Sequence, residues 1–150
     1  MKPISFKYIC GVCGNRFSAP NMPDEAYGEF VVRSQASDAN AYMSVFDDGI
    51  LDEIGGILKQ NAVKWEVAKT QIPELQQKLF SFATDMAEDG SRYEIGLMPR
   101  CPQCKNRKPS SWAEEEPVRK LELKVVTHHA WAKMDSEARE RTINAALAKV

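Results

Sequence analysis

The sequence has no apolar run approaching the roughly 18 residues of a membrane-spanning helix, no low-complexity tract and no Asn-x-Ser/Thr sequon. It also lacks the nucleotide-binding, nucleophile-elbow and zinc-protease signatures GxGxxG, Walker loop, GxSxG and HExxH, so enzymatic activity has no positive support. Histidine is scarce. The only two, His128 and His129, are adjacent, so a helix or strand cannot turn both toward one site, and no Asp or Ser framework of a triad accompanies them. The stretch Met1 to Lys7 carries charge but no apolar core of a signal peptide, which gives the expectation of a soluble cytoplasmic protein. In a reducing cytosol, paired thiols are metal ligands more often than disulfides.

Cysteine is scarce too, and its placement is the strongest signal present. The four residues form two C-x2-C knuckles, Cys10-Gly11-Val12-Cys13 and Cys101-Pro102-Gln103-Cys104. Each knuckle can offer two thiolates to one face of a tetrahedral ion, and zinc lowers the thiol pKa enough for all four to bind. Four sulfurs close the shell, so the expected Zn2+ is a single structural ion. Four-thiolate iron is the alternative that the ligands alone leave open. A compact four-cysteine site has about 15 to 20 residues between its knuckles, whereas here residues 14 to 100 intervene. The zinc site is therefore expected to be split by an inserted subdomain.

The chain of 150 residues is long enough to bury a core without relying on metal alone. Its net charge of −1 conceals an uneven spread. Residues 1–20 hold three bases and no acid; residues 21–90 hold thirteen acids against five bases; residues 91–150 hold twelve bases against eight acids. The knuckle regions are basic and the intervening stretch is acidic.

Periodicity supplies the elements. Ile4, Phe6 and Tyr8 alternate with Ser5 and Lys7 as a half-buried strand, and Asn15 to Ser18 can return as its partner, with Gly14 suiting the knuckle turn. Residues 29–34 and 40–46 read as a hairpin around a polar loop. Ile50, Leu51, Ile54, Ile57 and Leu58 share a helical face, weakened by Gly55 and Gly56. Residues 62–69 are ambiguous. Pro73 fits the first turn of a helix carrying Leu75, Leu79, Phe82, Ala83 and Met86. Tyr93 to Met98 reads as extended and leads back to the ribbon, Pro109 to Ser111 as a loop, and Val118 to Val126 as the clearest strand in the chain. Thr127 can cap a short helix bearing Trp131, and Asp135 or Ser136 a final helix with Ile143 and Leu147.

These readings give an α+β fold: an antiparallel zinc-ribbon sheet with an inserted hairpin-plus-helices subdomain and C-terminal helices. The expectation is one domain, 1–150, with the ribbon at 4–20 and 93–126, the insert at 21–92 and a helical segment at 127–150. The knuckles Cys10-Gly-Val-Cys13-Gly14 and Cys101-Pro-Gln-Cys104-Lys105 resemble those of the zinc-ribbon superfamily, with Lys105 where the second knuckle often has glycine. That resemblance implies a structural metal and a ribbon, and it chooses no function.

Three functions are weighed on this basis. The leading one is a small zinc-binding protein that acts as a protein-protein interaction module, adaptor-, immunity- or antitoxin-like, with a surface formed by Asp24, Glu25, Glu29, Asp47, Asp48, Asp52 and Glu53. A charge run of that kind also serves simply as a solubilising face. The second is a nucleic-acid-binding ribbon using Arg16, Arg100, Lys105, Arg107, Lys108 and Trp112, where cations meet phosphates and rings stack on bases. The third is an unrecognised hydrolase or redox protein.

Overall fold

The structure, a computed structural model, describes residues 1–46 and 49–150. Asp47 and Asp48, read above as part of an acidic surface, lie outside the described residues. The chain is mixed α/β, with two small antiparallel three-stranded sheets and four helices. The strands are β1 (Ile4–Cys10), β2 (Arg16–Asn21), β3 (Glu29–Ser34), β4 (Asn40–Ser44), β5 (Tyr93–Glu94) and β6 (Pro109–Glu114). The helices are α1 (Ile50–Gln60), α2 (Ile72–Phe80), α3 (His129–Lys133) and α4 (Ser136–Leu147). They sort into two compact units, one of residues 1–43 and 93–125, the other of residues 44–92 and 126–150.

The first unit holds both sheets, in the orders β2-β1-β6 and β4-β3-β5. The alternation in β1 is obeyed in part: Ile4, Phe6 and Tyr8 are buried, with Phe17, Ala19 and Met98 packed against them, and Lys7 is exposed, but Ser5 is buried as well. The register places Tyr8 opposite Phe17 on one side and Trp112 on the other. The ring centroids of those two pairs are 5.5 and 6.2 Å apart, stacked, so the aromatic row continues across all three strands. The hairpin of β3 and β4, expected to open the insert, groups with the ribbon strands rather than with the helices.

Three expectations about the returning chain are corrected. Pro109 to Ser111 is not a loop; it begins β6, which takes the free edge of β1. Val118 to Val126 is not a strand. It touches the sheets through single bridges, Lys120 to Ile4 and Val125 to Tyr42. Leu121 and Leu123 are half-buried as their spacing demands, but β6 takes Phe6 to Cys10 of the β1 edge and leaves this stretch only the start of it, where the Leu121 N–H donates to the Pro3 carbonyl at 2.8 Å and the Ser5 N–H to the Arg119 carbonyl at 3.0 Å. Nor does Tyr93 to Met98 form one extended segment feeding the ribbon: β5 covers Tyr93 and Glu94 alone and pairs with Ser34 and Arg33.

The second unit is helical, and its core gathers Ile54 and Leu58 of α1, Leu79 and Phe80 of α2, Trp131 of α3, and Ile143 and Ala146 of α4. Gly55 is where α1 admits α2: a Cβ there would sit 2.3 Å from Nε2 of Gln76, whose amide donates to the Leu51 carbonyl at 2.9 Å. The expected helix through Met86 stops at Phe80, passes through a 3-10 turn at Ser81–Ala83, and leaves Met86 exposed. The Ser81 hydroxyl donates to the Lys78 carbonyl and the Thr84 hydroxyl to the Ser81 carbonyl at 2.6 Å, and such local bonds compete with helix continuation. Residues 62–66, left ambiguous above, form a run of turns.

Regrouping the chain this way softens its charge asymmetry. The sheet unit carries eleven bases and nine acids, the helical unit nine bases and twelve acids. Net charges of +2 and −3 replace the sharper contrast along the sequence.

Candidate metal centre

Both knuckles have the same backbone construction. In the first, the Cys10 N–H donates to the Asn15 carbonyl at 2.8 Å and the Gly14 N–H to the Cys10 carbonyl at 3.0 Å. In the second, the Cys101 N–H donates to the Asn106 carbonyl at 2.8 Å and the Lys105 N–H to the Cys101 carbonyl at 2.9 Å. The residue after the second cysteine is left-handed in each, with φ of 74° at Gly14 and 66° at Lys105. Lys105 thus adopts the conformation for which glycine is the default.

The asparagines complete the correspondence. Nδ2 of Asn15 lies 3.7 Å from Sγ of Cys101, and Nδ2 of Asn106 lies 3.6 Å from Sγ of Cys104, so each amide donates toward a sulfur. Sequence reasoning missed both, although the signal was present: residues 10–16 and 101–107 share the pattern C-x2-C-x-N-R. It also missed Gly11, whose N–H donates to the Lys108 carbonyl at 2.8 Å. A Cβ at Gly11 would stand 2.7 Å from that carbonyl oxygen, so the two knuckles approach closely only because side-chain volume is absent.

This construction brings Cys10, Cys13, Cys101 and Cys104 together, with all four sulfurs within 4.8 Å of one another. Across the knuckles, Cys10 to Cys104 is 3.4 Å and Cys13 to Cys101 is 3.6 Å. A tetrahedral ion with metal–sulfur bonds of about 2.3 Å requires sulfurs about 3.8 Å apart, which this spread brackets. The cysteines are free thiols. Among the described residues, no other group of histidine, cysteine or carboxylate gathers as a metal site.

The environment already favours ionisation of two of the sulfurs. Hydrogen bonds from the Cys104 and Gln103 backbone amides, with further help from Cys13 and Asn15, outweigh desolvation and draw the Cys101 thiol down to about 6. Cys104 is drawn down as well, chiefly by the Asn106 backbone and side chain. Cys13 moves the other way, up to about 12. The Asn15 backbone favours its thiolate, but desolvation and the neighbouring cysteines together prevail. Four thiolates at these separations repel strongly, and a divalent cation is what lets them coexist.

The basic residues read as a nucleic-acid face divide by orientation. Arg16, Lys105 and Lys108 are exposed, and Trp112 is 46% exposed. Arg107 instead turns inward, donating to the carbonyls of Met98 at 2.9 Å, Ser37 at 3.1 Å and Ser34. Arg100 donates to the Gln35 carbonyl at 3.2 Å and lies 3.6 Å from the Asp38 carboxylate.

The acidic residues do not form one patch within a single unit. Asp24, Glu25 and Glu29 belong to the sheet unit, and Asp52 and Glu53 to the helical unit. Glu29 accepts from the N-terminal amine at 2.5 Å and from the Tyr42 hydroxyl, while Glu53 pairs with Arg139 at 2.7 Å. Asp24, Glu25 and Asp52 are exposed. His128 is held by the Ala83 carbonyl, 2.8 Å from its Nδ1, and sets its ring edge-on to Phe80. Among the described residues, no helix is long and apolar enough to cross a membrane. Compared with protein families, curated proteins and solved structures, the chain matches none of them.

Proposed function

We propose that the protein is a zinc-stabilised binding module, in which one Zn2+ held by Cys10, Cys13, Cys101 and Cys104 is structural and other surfaces meet a protein partner. The observation that carries the metal reading is the gathering of four sulfurs from sequence-distant knuckles at tetrahedral spacing. A shell of four thiolates leaves no coordination position for substrate, so the reading assigns the ion no catalysis. Docking through the exposed Asp24 and Glu25 is supported by their place in the turn before β3, beside the 75%-exposed Tyr27.

The test is recovery of tagged full-length protein from native lysate, with and without nuclease, alongside elemental analysis. The expected result is one zinc per chain and a stoichiometric protein partner that survives nuclease and is lost on charge reversal at Asp24 and Glu25. A zinc-free native protein would overturn the metal reading, and loss of every partner after nuclease would overturn the protein-partner reading. A second reading, nucleic-acid binding, is favoured by one observation: Lys7, Arg16 and the exposed Trp112 line a shared surface cleft of about 200 Å³. It predicts strongly salt-dependent oligonucleotide binding.

A further inference from the structure

A second cleft in the sheet unit, about 270 Å³, is lined by the cations Arg33, Arg100, Lys105 and Arg107 together with apolar Phe17 and Pro102. The guanidiniums there are held by neutral backbone carbonyls. Arg33, only 5% exposed, donates to the carbonyls of Leu97 at 3.0 Å and Pro20 at 2.7 Å. Arg107 is fixed by three carbonyls, which leaves its Nε–H and a second Nη1 hydrogen uncommitted. Carbonyls orient a guanidinium without neutralising it. Among the described residues, Arg33, Lys105 and Arg107 have no carboxylate at ion-pair distance, and Asp38, 3.6 Å from Arg100, is the one acid lining the cleft. The net charge of the lining is therefore +3.

Like charges gathered this way, with Arg33 buried and Arg100 and Arg107 half-buried, are costly unless an anion compensates them. Burial lowers the affinity of Arg33 for its proton, and Arg107 lowers it further by repulsion, while the Tyr8 hydroxyl opposes the effect. In Arg107 burial acts first, followed by repulsion from Arg100, and the more distant Asp38 and Glu94 carboxylates offset these only in part. Arginines held in place by carbonyls, with an exposed lysine beside them, are an arrangement that recognises a compact oxyanion, arginine supplying paired N–H groups and lysine a point charge.

We propose that this cleft binds the phosphate group of a small phosphomonoester, with the phosphate on Arg100, Lys105 and Arg107 and the organic part against Phe17 and Pro102. The volume suits a molecule rather than a polymer strand, and the apolar wall gives the organic part somewhere to lie. The inference goes beyond the binding-module reading and does not rest on it. Because Pro102 and Lys105 belong to the second knuckle, the metal-binding turn also forms part of the cleft wall.

The test is an NMR titration of the metal-loaded full chain with inorganic phosphate and then with a nucleoside monophosphate. Amide signals of Lys105 and Arg107 and the arginine Nε signals report the site. Saturable shifts confined to these groups, with the monophosphate binding more tightly than phosphate, are expected. Lys105→Gly removes a cation at a left-handed position that glycine accepts, so it tests charge without endangering the knuckle. Combined with Arg100→Gln it should weaken phosphate binding by about a hundredfold, roughly tenfold for each charge-assisted bond lost, while Lys2→Gln leaves it unchanged. Shifts that do not saturate, or a double variant that binds phosphate as well as the parent, would falsify the proposal. An oligonucleotide that outcompetes the monophosphate and shifts Lys7 and Arg16 instead would also overturn it.

Discussion

Gly11, Gly14 and Lys105 occupy comparable turns yet have different reasons for their identities. Gly14 and Lys105 both need positive φ, so Gly14→Ala should cost about 1 kcal/mol from backbone strain. Lys105→Gly relieves that strain but frees the unfolded chain, so its stability should stay within about 1 kcal/mol of the parent. Gly11 has no such dihedral demand; it is small because the Lys108 carbonyl is close. Gly11→Ala should therefore destabilise by about 1–3 kcal/mol through overpacking against backbone, and should weaken metal retention along with it. Thermal melts of the three zinc-loaded variants check the order. Loss of stability in Lys105→Gly equal to that in Gly11→Ala would contradict the reading. Among the ligands, Cys101→Ser removes the buried thiol most inclined to ionise, and stoichiometric zinc should be lost with it. Elemental analysis of the purified variant decides that point.

At the scale of elements, α3 shows how a helix can be capped from far along the chain. The expected cap, Thr127, accepts no N–H of the helix; its hydroxyl donates to Asp85, and that carboxylate serves instead. Asp85 accepts from the His129 and Ala130 N–H groups at 2.9 Å each, and from the Thr127 hydroxyl at 2.5 Å. Desolvation raises the Asp85 pKa, but these donors prevail and hold it below the usual aspartate value. A carboxyl whose pKa is lower folded than unfolded stabilises above the unfolded value, and that contribution disappears as pH falls through the folded one. Stability from Asp85 should therefore be full at neutral pH and fall away below about pH 4. Asp85→Ala should cost about 1–2 kcal/mol at neutral pH, as losses of N-caps do. It should also perturb the fluorescence of the buried Trp131, and the deficit should shrink in acid. An equal deficit at every pH would count against the cap.

For the whole molecule, a metal held by the four cysteines would act as a long-range crosslink. Joining Cys10 to Cys101 closes a loop of about 90 residues, and the chain-entropy treatment of crosslinks gives about 4–5 kcal/mol for such a loop. Both knuckles lie in the sheet unit, while the helical unit draws its core from α1 to α4. Chelation should therefore lower the melting temperature and expose sheet-unit amides to hydrogen exchange before those of α1, α2 and α4. An unchanged melting temperature in the metal-free protein would refute the crosslink. Metal affinity should rise with pH, because thiols such as Cys13, held up near 12, must lose protons to bind.

The pairing of the four cysteines into knuckles, β1 and its apolar residues, the β3–β4 hairpin, α1 and the Asp135 cap of α4 were legible because each rests on spacing within a few residues. Asp135 accepts from the Ala138 N–H at 2.8 Å, as its position before the helix implies. What escaped the sequence depended on partners distant in the chain. Pro109 to Glu114 became a strand, and Val118 to Val126 did not, because β6 takes most of the β1 edge and leaves the later segment only its first residues, and period-2 alternation says nothing about which segment arrives. Arg16 and Arg107 stand at equivalent places in the C-x2-C-x-N-R repeat, yet one meets solvent and the other three carbonyls. By itself, the sequence determined which side chains could ligate a metal and where local turns must fall, since thiol chemistry and backbone sterics are local. Only the tertiary structure decided which cations surround a cleft, which acids are already engaged and which segments form each unit, because burial and pairing depend on what folds back alongside.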